Sequence, residues 1–325
     1  MVNYIIRRVL YGLLVLVGVN LLTFILFFAI NTPDDMARLN IGGKRVTADA
    51  IAKWKTERGY DKPLLFNEQA QGAEKLTKTL FVERSLPLFA MQFGASDTGR
   101  DIGYELRQRA LPSLALALPT FLLGVFVVVV VSLVMVFFRN TYVEFWSVAF
   151  AVFLLSVSGL FYIIAGQFLF STVLKLVPAS GFAGGLDMVV FLLLPVVIGI
   201  VSRLGGEALF YRTMFLEEIG KDYVRTARSK GLSESVVLFR HVLGNALLPI
   251  LTSTVAVLPL LFMGALIMES FFGIPGLGSF TIDAINGQDF AVVRAMVFLG
   301  SALYILGLVL TDISYTLADP RVRLA

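Results

Sequence analysis

Arg203 and Glu207 stand four residues apart inside a long apolar run, Glu269 and Asp312 stand alone in two others, and the one histidine, His241, follows a basic stretch. An ionised side chain in hydrocarbon is costly unless it meets a partner or water, so such residues pair, relay protons or line a path for a charged solute. Nucleophilic and hydrolytic chemistry is not encoded. There is no cysteine, no HExxH, no GxSxG elbow and no GxxxxGK[ST] phosphate loop, and His241 has no acid placed beside it. No catalytic residue, cofactor site or metal site is expected.

A second candidate site is Leu216 to Thr252, LEEIGKDYVRTARSKGLSESVVLFRHVLGNALLPILT, a long polar and basic segment between strongly apolar runs. Tyr223 to Lys230 predicts two helical turns ended by Gly231, which takes the left-handed conformation at little cost. Ser233 then caps a second helix with Glu234 in its first turn and Val236, Val237 and Phe239 as apolar contacts, until Pro249 breaks the pattern. Arg225, Arg228 and Lys230 make the first helix positive. Tyr223 and Ala227, four apart, form a small apolar strip on which a cytoplasmic partner could dock. On charge alone the competing reading is an ordinary basic loop retained on the cytoplasmic side.

The elements that must position these residues follow from composition. With 57% hydrophobic and 15% charged residues over 325 positions, and a mean hydropathy of +0.83, the chain is too apolar for a water-soluble domain. A formal charge of +4 does not point to nucleic acid, because the basic residues sit in short segments between apolar runs. Val9 to Ile30, after Arg7 and Arg8, is long enough to cross roughly 30 Å of hydrocarbon and lacks a small-x-small cleavage pattern, so it reads as a retained first span. Five further spans are expected at about Leu114–Phe138, Phe145–Leu174, Met188 into the basic segment, Ile250–Phe272 and Ala291–Leu317. Pro195 kinks the fourth. Arg139 lies in a short inner turn, and Pro178 and Gly181 set a tight outer bend.

Thr32 to about Arg109 is polar and mixed. Thr47 caps a helix from Ala48 to Arg58 that Gly59 ends. Ile102 and Leu106, four apart, suit a short helix at the membrane interface, or equally a plain linker helix. Nothing from Asn67 to Phe89 carries an assignment. Arg203 falls in the inner half of the fourth span with Glu207 as its nearest partner; it either touches a solute path or simply snorkels and pairs. Asp312 reads as a structural acid. Basic residues in short segments fall on the side of Arg7, Arg8, Arg139, Arg212, Lys221, Arg225, Arg228, Lys230, Arg240, Arg321 and Arg323, with only Lys175 opposite and Arg294 just inside the last span, which puts both termini in the cytoplasm.

DYVRTARSKGL followed by HVLGNALLPILT resembles the cytoplasmic coupling loop, the EAA loop, of permease subunits in bacterial binding-protein-dependent ABC importers. It is most similar to the first permease of oligopeptide and dipeptide systems. Ala227 and Gly231 keep the loop's separation, while Arg225 and Thr226 replace its Glu-Ala, and His241 and Gly244 stand where the general form has Ile and Pro. GYDKPL, VPASG, IPGLG and the terminal ADPR are similar to phrases of the same family. Arg203 and Glu207 depart from it.

The resemblance implies an all-α integral membrane protein of the type I ABC importer permease fold in a bacterial inner membrane. It implies six transmembrane helices, with residues 1–30 as the first span, 31–110 as a periplasmic region and 111–325 as the permease core. Asp222, Tyr223, Arg225, Thr226, Ala227, Arg228 and Gly231, within a coupling loop at 216–249, would meet an ATPase. Glu269, Pro275, Gly276 and Gly278 would face a periplasmic or extracellular solute-binding protein. Two ATP-binding subunits, a second homologous permease and membrane lipid complete the implied partners; ATP would be bound by the partners. Two other readings stay open: a proton-coupled carrier using Arg203, Glu207 and Asp312, although no inverted repeats with matching broken helices are visible, and a non-transporting scaffold.

Overall fold

The computed structural model describes residues 2–318, apart from 43–45, 69, 73 and 256. No strand occurs among them beyond one isolated bridge between Ala95 and Asp101. The long apolar segments are helical, one of the two arrangements that satisfy every backbone hydrogen bond in lipid. Two compact units divide the chain: residues 1–110 with 280–309, and residues 111–279 with the end of the last helix. Phe280–Val309 thus packs with the first 110 residues.

In the first unit, helix Val2–Phe24 continues in π-helical form over Ile25–Ile30 and sets Phe24 and Phe28 into a core with Met36, Ala37, Ile51, Trp54, Tyr60 and Leu80. Thr47 caps the helix Ala48–Glu57 as expected, its hydroxyl accepting from Ala50 N at 3.3 Å. An unforeseen helix, Pro33–Ile41, precedes it, started by a capping box between Thr32 and Asp35. The unassigned stretch folds into three short helices, Glu74–Thr77, Leu80–Arg84 and Leu86–Phe89. The last long helix is Phe290–Ala318. The tail with Arg321 and Arg323 lies outside the described residues.

In the second unit a core of Val128, Met135, Ala208, Phe215, Val224, Val237 and Ile250 joins the long helices to the basic segment. Met188–Ile219 runs unbroken through Pro195. It closes tightly on Tyr142–Ser156 at Gly205, where a Cβ would lie 2.8 Å from the backbone N of Leu155.

Several expectations need correcting. No separate interfacial helix precedes the second span: Ile102–Phe137 is one helix of 36 residues. The third apolar run is not one helix but two, Tyr142–Ser156 and Gly159–Val173, meeting at 92° where Val157 and Ser158 turn extended. The fifth is broken as well. Helix Leu243–Val255 passes through Pro249 instead of ending there, a 3-10 segment covers Leu258–Met263, and Leu266–Phe272 starts after Gly264 at φ +73°. Leu258–Phe272 and Leu277–Asn286 then meet at 68°. Among the described residues four helices are long and apolar enough to cross a membrane, and six crossings result only if each bent pair counts as one.

Candidate functional site

The basic segment folds back onto the helix that carries it. After Ile219 and Gly220 the chain re-enters a helix at Asp222–Ser229. Val224 and Ala227, three apart, are 0% and 4% exposed and share a core with Phe215, Ile219, Val237, Leu238 and Val242. The Tyr223 hydroxyl donates to the Glu218 carboxylate, which also holds Lys221. Burial first, and then Glu218, pushes the Tyr223 phenol above its ordinary value. Gly231 at φ +77° makes the bend, and Arg228 closes it with a two-point pair to Glu234, Nε–Oε1 2.7 Å and Nη2–Oε2 3.1 Å.

Sequence reasoning had the wrong strip. Ala227 is not on a docking face, and Tyr223 is half-buried; both serve the chain's own core. Outward point Asp222 and Arg225, with side chains 98% and 74% exposed, and Thr226, Ser229 and Gly231. Leu232, Val236 and Phe239 join them, Phe239 at 60% exposure. Phe239 was missed as a surface residue, because Val237–Val242 is π-helical and its faces do not follow a 3.6-residue period. Ser233 sits at the helix start with extended backbone, but its hydroxyl makes no capping bond.

The Arg203–Glu207 pair forms as the spacing implied, with Arg203 Nε donating to Glu207 Oε1 at 2.8 Å. The structure adds a cavity of about 230 Å³ beside it, lined by Ala117, Thr120, Gly199, Ser202, Gly264 and Met268 among others, with Arg203 its one charged residue. Small side chains and a glycine turn leave that space open next to the guanidinium.

Glu269 behaves otherwise than expected. It is fully buried and faces no outer surface. Oε1 accepts from Ser113 Oγ at 2.8 Å and Ala265 N at 3.0 Å, and Oε2 accepts from Ser279 N at 3.0 Å. Ser113 Oγ in turn accepts from Leu277 N at 2.7 Å. Gly276 and Gly278 are buried as well, leaving Gly273 and Pro275 exposed in this loop. A side chain at Gly276 would run into the Glu269 carboxylate, and a Cβ at Gly278 would sit 2.7 Å from Leu266 N. The loop is pinned inward because an ionisable group in an apolar run satisfies itself on backbone N–H groups.

Residues 108–324 match the family described as binding-protein-dependent transport system inner membrane component, and residues 1–91 match the N-terminal region of binding-protein-dependent transport system membrane components. The chain belongs to the binding-protein-dependent ABC importer permeases. It is 32% identical to a putative peptide transport system permease protein of Brucella abortus (strain 2308), over 99% of each chain. A probable peptide ABC transporter permease protein of Sinorhizobium fredii is 30% identical over 98% of this chain and 99% of its own. The dipeptide transport system permease protein DppB of Bacillus subtilis is 29% identical over 68% of this chain and 70% of its own. The permease is therefore an inner membrane transport subunit that works with other subunits. The joint at 216–239, the Arg203 cavity and the Glu269 node lie within the matched region.

Proposed function

We propose that the permease forms the translocation path for peptides or similar small solutes and is driven through its basic segment by ATP-binding subunits. The observation that carries this reading is the two-sided construction of helix Asp222–Ser229. One side, Val224 and Ala227, is buried in the core shared with Met188–Ile219, while Asp222, Arg225, Thr226 and Ser229 stay exposed beside Leu232, Val236 and Phe239. A partner gripping the exposed side moves the helix as a rigid body and carries the fourth span with it. Tyr223, Arg228 and Gly231 hold the bend; Ala227 anchors it.

Two ATP-binding subunits supply the nucleotide chemistry, since this sequence has no phosphate-binding loop. A second, homologous permease completes the path, and a soluble binding protein delivers cargo to the outer face. Both termini lie in the cytoplasm. Arg203 stands on the path where the cavity of about 230 Å³ opens, held ready by Glu207. Peptide cargo is supported by the relatives, which are named as peptide or dipeptide transport permeases.

The test is a crosslink in the assembled transporter. Thr226→Cys or Phe239→Cys should reach an ATP-binding subunit, more strongly when nucleotide is bound. Failure of both positions to crosslink, with uptake intact, overturns the docking role.

A further inference from the structure

The region after the first span holds a cavity of its own. About 520 Å³ in volume, it is lined by Glu57, Arg58, Gly59, Arg84 and the loop Ala95–Gly99. Two cations are built into its wall. Arg58 donates from Nε to the Asp97 carbonyl at 3.0 Å and lies over the Trp54 ring at 4.7 Å. Arg84 donates to the Arg58 carbonyl and lies over the Tyr60 ring at 5.0 Å. Each guanidinium is thus held in place by a carbonyl and an aromatic face, with its remaining N–H groups uncommitted.

Neither cation has an acidic partner among the described residues. Glu57, at the rim, is within 3.9 Å of Lys53. The carboxylate of Asp97 is engaged elsewhere, accepting from Tyr60 Oη at 2.8 Å and Ala291 N at 3.4 Å. Gly94 and Gly99, at φ +71° and +85°, turn the loop, and Asp97 N donates to Asp289 Oδ1 at 3.1 Å. Ser96 and Thr98 add two hydroxyls, 2.8 Å apart. The result is a preorganised pair of arginines that no carboxylate among the described residues pairs, although Glu57 and Asp97 also line the cavity.

We propose that this pocket receives an aspartate or glutamate side chain of the soluble binding protein when that protein docks on the permease. Guanidinium edges match a carboxylate at two points, and fixing them beforehand removes most of the ordering cost of the contact. The volume exceeds a lone carboxylate and suits a loop tip that carries one. A soluble partner is required by the family to which the chain belongs. The inference rests on residues 31–110 lying outside the membrane on the delivery side.

The experiment uses the complete transporter, reconstituted with the binding protein that copurifies with it. Arg84→Gln should weaken docking of that protein about ten- to hundredfold, the range for loss of a charge-assisted contact. Arg84→Lys should recover part of the loss. Thr98→Glu, which leaves both arginines untouched and supplies an internal carboxylate, should weaken docking similarly and guards against misfolding of the arginine variant. Uptake should return toward wild type at saturating binding protein, with ATP hydrolysis in its absence unchanged. Unchanged docking in Arg84→Gln and Thr98→Glu, with Ala95→Cys labelled by an impermeant reagent from the outside, overturns the proposal alone. Labelling of Ala95→Cys only from the inside overturns the placement on which it rests. A docking loss seen only when the binding protein carries a peptide with a free terminal carboxylate, and not its amide, assigns the carboxylate to the cargo and also overturns it.

Discussion

Glu269 ties Ser113, from a distant part of the chain, to the nearby Ala265 and Ser279 through one buried carboxylate. Removing one partner of such a network leaves the others buried and unpaired, at about 1–3 kcal/mol for each orphaned group. Glu269→Ala should therefore lower the thermal midpoint of the detergent-solubilised protein markedly, and Glu269→Gln less so. Gly276→Ala should cost stability for the opposite reason, since its methyl group meets that carboxylate; a midpoint equal to wild type in either Ala variant contradicts the network. Arg203→Ala, whose side chain is 47% exposed and paired on its own helix, should leave the midpoint nearly unchanged but lower uptake or alter its cargo range. Unchanged uptake at equal protein level removes Arg203 from the path.

Asp97 carries a pH signature at the same scale. Burial, the largest effect, holds its carboxyl above the ordinary value of 3.8, against the opposing pull of the Tyr60 hydrogen bond. The folded region thus binds this proton more tightly than the unfolded chain does. The stability so contributed is complete below 3.8 and is lost as pH rises through the raised value. Asp97→Asn should gain on the wild type in thermal midpoint as pH rises through the acid range; a difference that does not vary with pH refutes the shift.

At the scale of elements, the bend between Asp222–Ser229 and the helix after it depends on Gly231 at φ +77°, which proline cannot adopt. Gly231→Pro should insert normally yet lose ATP-driven uptake, because the exposed face no longer moves with the fourth span. Wild-type uptake would count heavily against a coupling role for this joint. Tyr223→Phe tests the other side of the joint. Loss of its bond to Glu218 should weaken coupling, read as ATP hydrolysis no longer matched by uptake, without removing the helix. The two broken spans belong to this scale too. Val157–Ser158 and Gly264 interrupt apolar runs that hydropathy alone reads as continuous.

For the whole molecule, the importer and the proton-coupled carrier differ in what drives them. Uptake by the reconstituted transporter should persist on ATP after the proton gradient is dissipated; collapse with the gradient would favour the carrier. Much of this was legible in residues. The apolar runs, the absence of hydrolytic and phosphate-binding motifs, and DYVRTARSKGL with its glycine stop gave the membrane class, the transport role and the family. The Thr32–Asp35 box was equally readable and was missed. Tertiary structure alone decided that the third and fifth runs bend, that Val224 and Ala227 turn inward while Phe239 turns out, and that Glu269 points away from the surface. The reason is physical. In lipid an apolar side chain is acceptable on every face of a helix, so periodicity loses its power to say which face is buried. Where a helix breaks depends on which distant groups are there to take the freed backbone bonds.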